Sequence, residues 1–210
     1  MISEELQELL LQYCEPEDDL LKHIDRETNL KVLLPRMLSG HYQGRVLSML
    51  SKMNNPKRIL EIGTFTGYAT LCLAEGLTAD GIIYTLDINV ELEEMVRGNF
   101  AKSPLNHKIE YLIGDAAQSI KSLKNEVFDL VFIDADKKNN GTYYDLIFDQ
   151  VKPGGIIIVD NVLWSGKILN KAQDKDTKNI SSFNDQIAAD NRVEKLILPV
   201  RDGLFVIRKK

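Results

Sequence analysis

Two carboxylates and an amide, Asp134, Asp160 and Asn161, follow the short apolar runs 127–133 and 155–159. All their donor atoms are hard oxygens, and no histidine or cysteine lies close by in the chain. Such a set, completed by water or substrate oxygens, suits Mg²⁺, Mn²⁺ or Ca²⁺. Without a cation, two close carboxylates repel and one must take up a proton. Lys137 lies three residues beyond Asp134 in Asp134-Ala135-Asp136-Lys137-Lys138. Like charge beside a dication favours a neutral amine, so a lysine there could accept a proton from a substrate hydroxyl. An exposed lysine in a charged loop is the plainer reading, and it is the one for Lys138.

A second group surrounds Glu61-Ile62-Gly63-Thr64-Phe65-Thr66-Gly67-Tyr68. An apolar run ends there in an acid, a turn with two glycines follows, and an amphipathic run starts at Ala69. Glycine lets a main chain pass close to a ligand. The spacing Glu-x-Gly-x-x-x-Gly differs from the dinucleotide fingerprint Gly-x-Gly-x-x-Gly. A carboxylate at the strand end would repel a pyrophosphate and suits a ligand with a cationic or ammonium group. Asp87 ends the next apolar run, and an acid about 20 residues beyond the first glycine turn suits a ribose diol. Asp87 alone fits NAD or an adenosine-containing sulfonium, and the glycine spacing favours the sulfonium. Capping of a helix near Val90 is the simpler role for Asp87, and both can hold.

These residues need a scaffold, and the chain specifies one. Strands are expected at 58–62, 82–86, 108–113, 127–133 and 155–159, with helical runs near 67–75, 90–101, 115–123 and 140–150. The strands are short and mostly apolar, as in a parallel sheet covered on both faces. The alternation implies a doubly wound α/β sheet whose ligand crevice lies at the strands' carboxyl ends. Five consecutive strands end in or beside an acid: Glu61, Asp87, Asp115, Asp134 and Asp160. Three helical runs precede the sheet, the first capped by Ser3, the second begun by Pro16 and the third following Gly40. Pro56 closes that region, so residues 1–56 read as a helical N-terminal cap and 57–210 as the α/β core of a single domain. Asn170 to Lys178 reads as a surface loop, followed by a helix near 179–190. Strands 193–198 and 203–208, joined by Pro199-Val200-Arg201-Asp202-Gly203, suggest an antiparallel pair at the sheet edge.

At 210 residues the chain can bury one sizeable core. Its net charge of −5 leans away from a phosphate-backbone binder and towards a small-molecule substrate. Cys14 and Cys72 have no metal-ligand spacing and read as reduced thiols. The acidic start lacks the layout of a signal peptide, and no apolar run is long enough to span a bilayer. A cytoplasmic protein without membrane association is expected.

Three motifs in order resemble the cation-dependent class I O-methyltransferases, which include catechol and caffeoyl-coenzyme A O-methyltransferases and bacterial relatives. They are Glu61 to Tyr68, Phe128-Asp129-Leu130-Val131-Phe132-Ile133-Asp134-Ala135-Asp136-Lys137, and Pro153-Gly154-Gly155 through Asp160-Asn161-Val162-Leu163-Trp164-Ser165-Gly166. The resemblance runs from about Met37 to Gly203. It implies a Rossmann-like seven-stranded sheet with an antiparallel last strand, S-adenosylmethionine as methyl donor and, in bacterial members, a homodimer. By position it places Glu61, Gly63, Phe65 and Ala69 in the motif beside the donor's methionine and ribose. It gives Asp87 to the ribose hydroxyls and Ala116 to the adenine. Met37 and Ser39 fall in a segment that closes over the donor. Asp134, Asp160 and Asn161 match metal ligands, Asp134 also counts among the catalytic and donor-binding residues, and Lys137 matches the general base. The implied reaction is methyl transfer to a hydroxyl of a small aromatic acceptor. Phe205 after Asp202-Gly203-Leu204 and Asp136 beside the metal ligand depart from the catechol enzyme and argue against a simple catechol. The family also holds enzymes acting on hydroxyuridine in transfer RNA, and a nicotinamide-dependent oxidoreductase is the more distant alternative. Trp164 fits either an acceptor pocket or the core.

Overall fold

The computed structural model describes residues 4–210. Seven strands form one sheet in the order β3-β2-β1-β4-β5-β7-β6. They are β1 (Arg58–Ile62), β2 (Ile82–Asp87), β3 (Ile109–Ile113), β4 (Phe128–Ile133), β5 (Val151–Val159), β6 (Val193–Leu198) and β7 (Leu204–Lys209). The first five are parallel, and β7 runs antiparallel to both β5 and β6. The expected C-terminal pair is therefore present, with β6 at the edge and β7 inserted beside β5. The strand order reverses between β1 and β4, and in such sheets a crevice opens there.

Helices cover both faces, because a sheet whose strands are apolar on both sides must bury both. On one face α6 (Ala116–Ser122), α7 (Asn140–Ile147) and α8 (Lys175–Ala189) pack on Leu60, Ile62, Val131, Ile133, Ile157 and Val159. On the other lie α2 (Asp19–Lys31), α3 (Gly40–Asn54), α4 (Tyr68–Ala74) and α5 (Glu93–Ala101), over Ile59, Ile83, Leu130, Phe132 and Ile158. Leu47 of α3 is fully buried in that layer. A further helix, α1 (Glu4–Gln12), precedes them. The Ser3 cap expected for it lies outside the described residues.

Beyond small shifts at other element ends, four differences from the sequence reading have a clear local cause. The second helix begins at Asp19 rather than at Pro16, because Asp18 Oδ1 accepts from Leu21 N at 2.7 Å and caps it. Strand β5 starts at Val151, four residues early: Val151 pairs with Phe128, and a register irregularity absorbs Pro153 and Gly154. Helix α8 starts at Lys175, inside the stretch expected to be loop, because Asp174 caps it at Thr177 N. Its first turn is polar, so apolar period could not report it. The run near 90–101 opens as a 3-10 turn, Val90–Leu92, capped by Asn89 and not by Asp87.

Candidate functional site

A cleft of about 1490 Å³ opens over the carboxyl ends of the parallel strands. Its floor includes Gly63, Phe65, Asp87, Ala116, Asp134 and Asp160. Asn161, Lys137 and Met37 also line it. Among the described residues seven non-glycine positions have positive φ, and six of them (Leu34, Phe65, Asn161, Trp164, Ser165 and Arg201) line this cleft. Strained backbone gathers where the surrounding structure holds it for a purpose.

The loop after β1 is held from three sides. Gly63, at φ +104°, sits against the Asp134 carbonyl so closely that a Cβ would collide with it. Asp87 Oδ2 accepts from Thr64 N at 3.0 Å and Phe65 N at 2.7 Å, while its Oδ1 accepts from Asn89 N at 2.9 Å. Asn99 Nδ2 donates to Thr66 O at 3.1 Å, and Thr28 Oγ1 donates to Thr66 Oγ1 at 2.9 Å. Asp87 thus organises the turn as well as facing the cleft. Sequence reading missed Thr28 and Asn99, whose roles depend on helices that meet the loop only in three dimensions.

Three residues expected at the cleft surface stand behind it. The Glu61 side chain is fully buried, where it accepts from the hydroxyls of Thr70 and, at 2.5 Å, Thr85. Burial pushes its carboxyl up to about 8, against the lowering effect of those two hydroxyls. The cause of the misplacement is the two-residue period of a strand: Glu61 points into the layer that Ile62 does not. Ala69 is 7% exposed in the apolar layer with Leu47 and Leu73. Ser39 is 6% exposed and presents its carbonyl to Arg201.

Asp134 and Asp160 each follow directly on the paired residues Ile133 and Val159. Adjacent parallel strands therefore bring them together. Asp160 is 3% exposed, with Oδ2 accepting from Gln43 Nε2 at 2.6 Å and Oδ1 from Asn161 N at 2.6 Å. Burial, and then the charge of Asp134, push its carboxyl up to about 7. Lys137 Nζ lies 2.7 Å from Asp134 Oδ1, with only 15% of its side chain exposed. It is not the exposed loop lysine of the plainer reading, whereas Lys138 is, at 68%. Asn161 holds φ +64°, a conformation asparagine tolerates better than most residues. Among the described residues no group of three His, Cys, Asp or Glu side chains is placed to hold a metal. A cation here would rest on two carboxylates, an amide oxygen and oxygens from outside the chain. That hard-oxygen chemistry, with two crowded carboxylates in a mostly buried site, fits a divalent ion of the Mg²⁺ or Ca²⁺ type. Trp164 belongs to the cleft wall and not to the core clusters; its indole N–H is buried without a partner, and Lys167 Nζ lies 5.8 Å from the ring centroid.

Known proteins of the same fold and sequence pattern identify the family. A family model described as O-methyltransferase matches residues 12–210. A caffeoyl-CoA O-methyltransferase of Mesembryanthemum crystallinum is 38% identical over 185 residues, covering 82% of this chain and 73% of that protein. One of Medicago sativa is 35% identical over 205 residues, covering 92% and 83%. Among solved structures, an O-methyltransferase from Bacillus cereus in complex with SAH superposes with a TM-score of 0.90 at 31% identity, covering 98% and 97% of the two chains. TomG of Streptomyces achromogenes, an O-methyltransferase solved with SAM, gives 0.90 at 25% identity over the whole of both chains. The chain therefore belongs to the O-methyltransferase family, S-adenosylmethionine-dependent enzymes that move a methyl group to oxygen.

Proposed function

We propose that this chain transfers the methyl group of S-adenosylmethionine to a hydroxyl of a small aromatic acceptor of the vicinal-diol type, assisted by a divalent cation held at Asp134, Asp160 and Asn161. One observation carries the reading: two crowded carboxylates and Lys137 converge at the ends of β4 and β5, in the same cleft as Asp87 and the Gly63 loop. The plant relatives are caffeoyl-CoA O-methyltransferases, which supports an aromatic hydroxyl as acceptor.

Each residue then has a task. The Gly63 loop gives the donor close access to main chain, and Asp87 faces its ribose while fixing the loop. Ala116 starts α6 and lines the cleft, and it would border the donor's adenine. A bound cation of this kind supplies positive charge that lowers the pKa of a substrate hydroxyl. Lys137 Nζ stands on that side of the cleft beside Asp134; as the neutral amine that a neighbouring dication favours, it would take the hydroxyl proton at Nζ. The acceptor oxygen forms its bond to the methyl carbon as the carbon–sulfur bond breaks, and the sulfonium leaves as a thioether. The donor is already activated, so the protein contributes mainly orientation, roughly 7–11 kcal/mol in favourable cases.

The test is a labelled-donor screen on vicinal diphenols, coenzyme A thioesters and hydroxyuridine-containing RNA, with Mg²⁺ and with chelator. Asp160→Ala should lower cation-dependent turnover by about 100-fold or more. The same variant should still bind S-adenosylhomocysteine in calorimetry. Asp87→Ala should instead weaken that binding by about 10-fold. Normal turnover of Asp160→Ala in chelator would remove the cation from the reading. Transfer to RNA with none to the phenols or thioesters would remove the small aromatic acceptor.

A further inference from the structure

The turn between β6 and β7 touches both walls of the cleft. On one side Asp202 Oδ1 accepts from Ser165 N at 3.0 Å, and the Asp202 carbonyl accepts from Leu163 N at 2.8 Å. On the other, Arg201 reaches back across the sheet end to the segment before α3. Its Nη1 donates to the carbonyls of Leu38 and Ser39, both at 2.6 Å, and its Nη2 donates to Arg36 O at 3.1 Å. Residues 34–39 form a strap over the cleft: Leu34 has φ +57°, a 3-10 turn spans Pro35–Met37, and Met37 lines the opening. The strap's three carbonyls converge on one guanidinium, whose rigid fork can serve several acceptors at once.

The same Nη1 lies 3.5 Å from Gln43 Oε1, and Gln43 spends its amide N–H on Asp160 Oδ2 at 2.6 Å. Gln43 is fully buried, and Asp160 and Arg201 are the side-chain contacts its carboxamide makes among the described residues. Arg201 itself sits at φ +46°, a conformation a glycine would hold without strain. Non-glycine residues in that region cost free energy and cluster at functional sites.

We infer that Arg201 is a positioning residue for methyl transfer: it ties the strap over the donor side of the cleft and, through Gln43, aims Asp160 at the cation side. The second half rests on the cation site proposed above, and the first does not. A tie that only stabilised the fold would lower the melting temperature and leave the two ligands' affinities unchanged.

Full-length wild type, Arg201→Met, Arg201→Lys and Gln43→Leu are compared by calorimetry with S-adenosylhomocysteine and with Mn²⁺, each alone. Trypsin cleavage after Arg36, an exposed residue of the strap, is followed well below every variant's melting temperature. Arg201→Met should weaken both ligands by about 5-fold and speed the cleavage about 5-fold, since local opening sets proteolysis. Arg201→Lys should recover part of the S-adenosylhomocysteine affinity. Gln43→Leu should weaken Mn²⁺ by about 5-fold and leave S-adenosylhomocysteine within about 2-fold of wild type. Unchanged affinities for both ligands in Arg201→Met overturn the inference; should that variant not fold, unchanged S-adenosylhomocysteine affinity and cleavage in Arg201→Lys together with unchanged Mn²⁺ affinity in Gln43→Leu overturn it. Wild type that binds S-adenosylhomocysteine but no Mn²⁺ sinks the cation site and the Asp160 half. The strap half is then decided by the Arg201 variants and the cleavage rate.

Discussion

At the scale of single residues, Glu61 shows how burial changes what an acid does. One carboxylate oxygen takes the hydroxyls of Thr70 and Thr85, and the other has no partner. Its carboxyl is pushed from 4.5 up to about 8 by burial, with the hydroxyls opposing and the charges of Asp134 and Asp87 adding to the rise. A folded-state value above the unfolded one means that the folded chain holds an extra proton between those two values. Stability linked to Glu61 is therefore greatest at low pH and falls as pH rises from about 4.5 to about 8. Glu61→Gln should remove this dependence, worth on the order of a few kcal/mol across the window. Urea unfolding of both proteins at several pH values between 5 and 8 measures it. Parallel stability profiles for wild type and variant would contradict the assignment.

At the scale of elements, the strand ends are reliable platforms and the loops that cross them need separate fixing. The Gly63 loop depends on Asp87, from the neighbouring strand, and the wall containing Trp164 and Ser165 depends on the β6–β7 turn. Gly203 is the tightest point of that turn. It has φ +88°, and an added Cβ would lie 2.5 Å from Leu163 Cγ. Its amide donates to Val200 O and its carbonyl accepts from Val162 N. Gly203→Ala should thus cost about 1–3 kcal/mol from backbone strain alone. The clash should also shift the 161–166 wall and lower turnover more than donor affinity. Chemical denaturation paired with calorimetry on S-adenosylhomocysteine reads both; wild-type stability in this variant would show that the turn is not constrained as described.

At the scale of the whole molecule, the N-terminal helices are part of the layer structure. Leu47 on α3 is buried with Ile59, Leu73, Ile83 and Leu130, and Gln43 on the same helix reaches Asp160. Ser51 Oγ donates to Leu73 O at 2.6 Å, which fastens α3 to α4. Leu47→Ala leaves a cavity between α3 and the sheet and should lower stability by about 2–5 kcal/mol. Because that cavity lies in a shared layer, the loss should appear as a lower midpoint of one unfolding transition, monitored by circular dichroism. A separate early transition of the N-terminal helices would show that they fold independently of the sheet.

The chain's own order of residues determined the parallel sheet, the acids at its strand ends and the family motifs, because apolar runs, turn glycines and their spacing are local signals. It also predicted that Asp134 and Asp160 would meet, since adjacent parallel strands carry their ends to one edge. Side-chain direction was harder: Glu61 and Ala69 lie in the motif but point into packed layers, which only the positions of Thr85, Leu47 and their neighbours decide. The start of α8 escaped because a polar first turn carries no apolar period. Arg201 and Gln43 were invisible for a different reason. Arg201 bonds to carbonyls 162, 163 and 165 residues away, and Gln43 to a carboxylate 117 residues away. Only the folding of the chain back on itself puts a guanidinium, a carboxamide and a carboxylate within hydrogen-bond reach.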